Sequence, residues 1–250
     1  MKINKEKHIG RVLFIVEGSQ YEFSMLRKIF CNIMQYEYVE KRRNKPAAFV
    51  SKNDSHSRVA VVNTKESNIA DITENEDYLD AVFDMLRKQY KFPVDKSAIY
   101  YLFDRDPKSN VDSNKIENYI KTLKNPYEND NAMKAGQLLL SYPSIEGYTV
   151  SSFRTNSFLI CRNLGKDMKE YITNNTDIQL NKLSEETMLN ATSEFIEYLK
   201  SENLEWDVDD FEPTSSEIFK RQEERYLENK GFRIFSMLTL AFLQMGIIEW

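Results

Sequence analysis

The stretch RVLFIVEGSQYEF, Arg11 to Phe23, carries five apolar residues, Val12 to Val16, straight into a carboxylate, Glu17, and then into Gly18. An unbroken apolar run of this length reads as a strand buried on both faces, the pattern of a parallel sheet. Behind it Ser19 and Glu22 form an S-x-x-E capping box, and Phe23, Leu26, Ile29, Phe30 and Ile33 recur at helical spacing. The segment therefore predicts a β-α unit with a tight junction and a helix from about Ser19 to Met34. A charge at the end of a buried strand needs a reason, and the same device returns twice.

In SAIYYLFDRDP the apolar residues Ala98 to Phe103 predict a buried strand that ends in Asp104-Arg105-Asp106 before Pro107. In QLLLSYPSIEGY a third apolar run meets Glu146. Between these landmarks, AAFVS and RVAVVNT predict short strands joined through the polar KNDSHS. Asp77 to Tyr90 and Asp112 to Leu123 have helical spacing, Pro93 stops the first, and a polar loop covers Asn125 to Asn131.

Beyond about residue 155 helical spacing dominates, over 158–172, 185–204, 217–229 and 232–245, with the acidic connector NLEWDVDDFEP between the second and third. The expected architecture is α/β: a mainly parallel sheet flanked by helices in residues 1–155, with a C-terminal helical lobe in 156–250.

Composition bounds the class. With 250 residues, 41% hydrophobic and 29% charged, 7 glycines and 6 prolines, the chain reads as an ordinary globular protein. Cys31 and Cys161 have no paired spacing, so two buried thiols in a reducing cytosol are expected rather than a disulfide or zinc framework. The charged start MKINKEKHIG lacks a secretory pattern, and the apolar segment Ile234 to Ile248 is short and interrupted by Ser236, Thr239 and Gln244. The expectation is a cytoplasmic protein that does not engage a membrane. A formal net charge of -5 argues against a broad nonspecific grip on nucleic acid, leaving local patches as the route to one.

In open sheets of parallel strands, ligands bind beyond the carboxyl ends of the strands, where Glu17, Asp104, Asp106 and Glu146 would converge. Asp104 and Asp106, two residues apart on an extended backbone, point to one side and can reach one hard cation. Carboxylates so placed suit Mg²⁺ or Mn²⁺ and metal-assisted phosphoryl chemistry. Asp104 and Asp106 are then the metal-holding pair, and Glu17 either ligates or acts as general base.

VLFIVEG followed about 85 residues later by YYLFDRD resembles the Toprim family of topoisomerases, DnaG-type primases, small RNase maturases and OLD-family nucleases. The segment SYPSIEGYTVSSF is similar to the corresponding segment of RloB-like Toprim proteins of bacterial defence loci, from which it departs at Tyr142 and at Gly147-Tyr148. The resemblance covers about residues 10 to 155. It implies a Toprim fold and a Mg²⁺- or Mn²⁺-dependent endonuclease acting on DNA or RNA, including tRNA, as an anti-phage effector. It further implies that Glu17, Asp104 and Asp106 are catalytic and that Glu146 is a candidate for a second metal site. No G-x-x-x-x-G-K-[ST] loop occurs in the sequence, so any ATPase would be a separate subunit. PARIS-type and RloB-type effectors imply that arrangement, a standalone Toprim chain beside an ABC-type ATPase, and homodimerisation is a further expectation.

Lys52, Arg58, Arg105, Lys108 and Arg154 are the candidate phosphate contacts, with Arg162, Lys166 and the cluster Lys41, Arg42, Arg43 and Lys45 as further sources of positive charge. Arg105 has a local ion pair as its competing role. His8 and His56 read as surface residues. Two functions remain open: a metal-dependent nuclease, or a noncatalytic Toprim module that binds nucleic acid or a partner protein.

Overall fold

Burial on both faces makes the apolar runs central strands, and the computed structural model describes them within residues 1–18, 20–39, 46–63, 84–89, 92–108, 111–127 and 136–250. The strands in chain order are β1 (Lys2–Ile3), β2 (Arg11–Val16), β3 (Tyr36–Val39), β4 (Ala47–Ser51), β5 (Arg58–Asn63) and β6 (Ala98–Asp104). They continue as β7 (Lys124–Asn125), β8 (Gly136–Tyr142), β9 (Cys161–Arg162), β10 (Phe232–Arg233), β11 (Phe235–Ser236) and β12 (Ile248–Glu249). The helices are α1 (Tyr21–Arg27), α2 (Ser113–Thr122), α3 (Glu146–Phe153), α4 (Gly165–Asn174), α5 (Glu185–Ser201), α6 (Glu212–Asn229) and α7 (Leu238–Gln244).

Among the described residues the main sheet has the order β11-β8-β6-β2-β5-β4-β3, with β7 beside β8. Its centre is parallel: β2 pairs with β5 on one side and with β6 on the other, and β6 pairs with β8. The margins are antiparallel. The chain passes from β2 to β5 on one flank and then to β6 on the opposite flank. That reversal opens a crevice between the carboxyl ends of β2 and β6, the place where α/β sheets hold ligands. Glu17 and Asp104 stand at its two lips.

The helix predicted from Ser19 to Met34 is α1 continued by a π-helical segment, Lys28–Ile33, with Ile29, Phe30 and Ile33 buried. Ser19 lies outside the described residues, and Glu22 is used differently, as described below. The predicted helix over Asp77 to Tyr90 falls largely outside them too; its described part is π-helical over Met85–Gln89. The cluster Lys41, Arg42, Arg43 and Lys45 is also outside, as are residues 128–131 of the polar loop.

Residues 156–250 are mainly helical, yet they do not form a separate helical lobe. Phe235 and Ser236 extend the main sheet opposite Tyr142 and Ser141, and Ile248–Glu249 pairs with Lys2–Ile3. One cluster of buried side chains runs from Val12 to Ile248, so no core boundary falls at residue 155. The predicted helices over 158–172 and 232–245 are each broken by two-residue strands, β9 against β10 and β11 against β8. Segments buried on every side carry no period, so an apolar run of this kind does not reveal where a strand interrupts a helix.

The cysteines depart from expectation: Cys31 is half-buried and Cys161 exposed. His8 and His56 are exposed, His8 beside Asp54. Among the described residues no helix is long and apolar enough to cross a membrane.

Candidate active site

Glu17 follows β2 directly, and its Oε2 accepts the backbone N–H of Asp104 at 3.0 Å. Asp104, the last residue of β6, accepts the backbone N–H of Ile145 through Oδ1 at 2.8 Å. Ile145 leads into α3, whose first residue is Glu146. Three chain segments far apart in sequence are thus knitted by carboxylate-to-backbone hydrogen bonds at one end of the sheet. The third acid sits in a helix's first turn rather than at a strand end.

Glu22, in the first turn of α1, joins them. Only 6% of its surface is exposed, and its Oε1 accepts the Gly18 N–H at 2.8 Å. A Cβ at residue 18 would stand 2.8 Å from Glu22 Cδ and closer still to its oxygens, so any other residue there would make the Glu22 carboxylate swing aside. The Glu-Gly pair lets a second carboxylate fold over the turn.

Glu17, Glu22, Asp104 and Glu146 line a cavity of about 760 Å³ whose remaining charged side chain, among the described residues, is Lys169. Lys169 Nζ lies 3.8 Å from Glu146 Oε1, and the other oxygen of Glu146 is buried without a hydrogen-bond partner. Four carboxylates against one ammonium cannot all be ionised cheaply out of water. Burial pushes Glu17 up to about 8, helped by the charges of Glu22 and Asp106 and opposed by the Asp104 N–H. Burial also holds Asp104 well above the ordinary carboxylate range, reinforced by Glu17, Glu146 and Glu22. Glu146 is raised for the same first reason, opposed by Ser144, by its own backbone N–H and then by Lys169. Tyr21 lines the same cavity, and burial keeps its phenol protonated, with its hydroxyl 2.7 Å from Thr149 Oγ1.

Asp106 is placed differently from the expectation that it shares a face with Asp104. It is absent from the cavity wall, and its carboxylate accepts the N–H of Gly165 at 3.0 Å and of Lys108 at 2.9 Å. Gly165 opens α4, so Asp106 caps the helix that carries Lys169. The extended strand stops at Asp104, and with it the alternation that would have pointed both aspartates one way.

Arg105 does not offer a phosphate contact. Its side chain is buried, donating to Glu223 from Nε at 2.8 Å and from Nη2 at 2.7 Å, and to Ser113 Oγ at 3.1 Å. The guanidinium also lies within 6 Å of the Phe219 and Phe232 rings, at 5.8 and 5.6 Å. Arg58 pairs across from Arg11 at the amino ends of the strands, roughly 16 Å from the crevice for a strand of this length. Arg154 is engaged by Asp177 and Asn175. Lys52 and Lys108 are exposed, Lys52 in the β4–β5 turn on the far side of the sheet from Glu17.

Glu22, Lys169 and Tyr21 are the side chains that sequence reasoning missed. Glu22 carried a signal, an acid one turn beyond Glu-Gly, but it read as a helix cap. Lys169 had none, because only the packing of α4 across the crevice brings it there.

The donor set fits a hard divalent cation. Every acid supplies oxygen, and among the described residues the four carboxylates share one ammonium, that of Lys169. Among the described residues no three His, Cys, Asp or Glu side chains are gathered closely enough to hold a metal as they stand. Mg²⁺ needs less than that, since it commonly keeps several waters and takes only one or two carboxylates besides substrate phosphate. Compared with protein-family models, with curated proteins and with solved structures, the chain gives no match.

Proposed function

We propose that the chain is a Mg²⁺- or Mn²⁺-dependent phosphodiester hydrolase of Toprim type that cuts nucleic acid. One observation carries the reading: four carboxylates from three separate segments line a single cavity at the switch point of the sheet, with Lys169 as their only charged counterpart there among the described residues. Structural acids scatter to solvent, where ionisation is cheap, whereas these are drawn out of water together.

Asp104, Glu17 and Glu146 are the residues that would hold the cation. When bound, it polarises a phosphoryl oxygen and lowers the pKa of bound water. Without the cation Glu17 holds its proton near neutral pH, and it is the acid–base group where Asp104 and Glu146 alone ligate. Lys169 stands where it can meet a non-bridging phosphate oxygen, and the neutral phenol of Tyr21 is a hydrogen-bond donor in the same wall. Asp106 and Arg105 serve the site by fixing α4 and the loop after β6.

The resemblance that motivates the nuclease reading extends the proposal to an anti-phage effector controlled by a separate ABC-type ATPase. The test is incubation of the purified chain with plasmid, single-stranded DNA and tRNA under Mg²⁺, Mn²⁺ or EDTA, beside Glu17→Ala. Metal-dependent cleavage that falls by about 100-fold or more in Glu17→Ala is the expected result. Cleavage that survives EDTA, or a Glu17→Ala chain that cuts as well as the parent, removes the hydrolase reading. Metal-independent binding with no cleavage under any condition favours the noncatalytic module.

A further inference from the structure

The acidic cavity does not end at its acids. A second cavity of about 660 Å³ continues from it between α1 and the segment 172–181. Ser24, Ile172, Thr173 and Leu180 line both, so the two form one trough. Its far half changes sign: the charged lining there is Arg27 and Lys28, accompanied by the side-chain amides of Asn32, Gln179 and Asn181.

Arg27 is pre-positioned. Its guanidinium lies 4.8 Å from the centre of the Tyr38 ring, an interaction that holds the plane while its edge can still donate. Among the described residues neither Arg27 nor Lys28 is in an ion pair, whereas the exposed lysines Lys121 and Lys200 each pair with a glutamate on their own helix.

We infer that this trough is the track of a single-stranded nucleic acid, with a backbone phosphate over the Glu17–Asp104 end and the neighbouring phosphates held by Arg27 and Lys28. The inference rests on the hydrolase reading for the acidic end and on the trough itself for the cationic end. From Ser24 to Asn32 the wall runs roughly 12 Å, long enough for more than one phosphate. The acids are recessed, Glu22 being 6% and Glu146 2% exposed. A stiff duplex presents its phosphates on a convex rod and cannot dip into such a recess, whereas a flexible single strand can. An acid-lined pocket repels a polyanion, so affinity has to come from cations beside it, which is where Arg27 and Lys28 stand.

The experiment is fluorescence anisotropy of the full chain with labelled oligo(dT) and oligo(rU) of roughly 10 nucleotides and with a duplex of equal length, in EDTA so that metal-dependent cutting is silent. The parent should favour single strands. Arg27→Gln/Lys28→Gln should weaken single-strand binding by about tenfold at moderate salt and reduce the slope of log K against log salt by about 1.4, about 0.7 for each phosphate no longer neutralised. Ser24→Glu, at the exposed junction of the two cavities, should weaken it as well. Lys121→Gln/Lys200→Gln removes the same charge elsewhere and should leave binding within about twofold. Absence of binding, equal binding of duplex, or an Arg27→Gln/Lys28→Gln chain that binds like the parent overturns the track. Strand binding with neither metal-dependent cleavage nor saturable Mn²⁺ binding by the same chain would retire the hydrolase and keep the track. Cleavage alongside binding indifferent to Arg27 and Lys28 would do the reverse.

Discussion

Glu17 Oε2 and the backbone N–H of Asp104 are joined by a 3.0 Å hydrogen bond across the crevice between β2 and β6. The bond ties an acid after one strand to the last residue of its parallel neighbour and so fixes the mouth of the site.

The first consequence is a pH dependence of stability in the metal-free chain. Glu17 goes from an ordinary carboxylate when unfolded to about 8 when folded, so the folded state binds the extra proton. A raised carboxyl contributes its stability fully below the unfolded pKa and loses it as pH climbs through the folded one. Thermal melts in EDTA should therefore fall from about pH 5 to about pH 8, and Glu17→Gln should flatten that fall, with a gain on the order of 2 kcal/mol at the alkaline end.

Asp104 and Asp106 should separate under the same assay. Asp104→Asn removes a buried carboxyl held well above its ordinary range, so it should raise the melting temperature in EDTA while abolishing metal-dependent activity. Asp106→Asn weakens the cap on Gly165 and should lower the melting temperature, by about 1 kcal/mol in stability. Equal shifts in the two variants would contradict the different placements of these side chains.

Gly18 and Glu22 should be coupled. Gly18→Ala makes the Glu22 carboxylate swing aside and give up the Gly18 N–H, and should cost about 1 kcal/mol in urea unfolding. In the Glu22→Ala background the same change should cost less, with a coupling energy of about 1 kcal/mol or more. Additive costs would show that the close approach does not govern the choice of glycine.

Arg105 and Glu223 form a pair enclosed by Ser113 and two aromatic rings. Arg105→Ala leaves Glu223 uncompensated and should destabilise by about 3–5 kcal/mol, whereas Arg105→Met/Glu223→Leu should cost considerably less. Denaturant midpoints of the single and double variants decide between this and a solvent-facing arginine.

Strands β2, β6 and β8 and helix α2 were legible because each is a local pattern: an unbroken apolar run, or a helical period with Asp112 as cap. Glu17 and Asp104 were legible for the same reason, being charges where such runs stop. What the sequence hid was long-range. Phe235–Ser236 becomes a strand only because the edge of β8 is there to receive it. Arg105 is buried only because Glu223, far along the chain, meets it. Asp106 leaves the site because the β-alternation stops at Asp104, two residues before it, and Lys169 enters because α4 crosses the crevice.

Mn²⁺ titration followed by electron paramagnetic resonance of the free ion tests the central claim most directly. The parent chain should bind Mn²⁺ saturably with Mg²⁺ competing, and Asp104→Asn should weaken that binding by about tenfold or more. Free Mn²⁺ undiminished by the parent, or removed equally by Asp104→Asn, would contradict a cation site built on Glu17, Asp104 and Glu146.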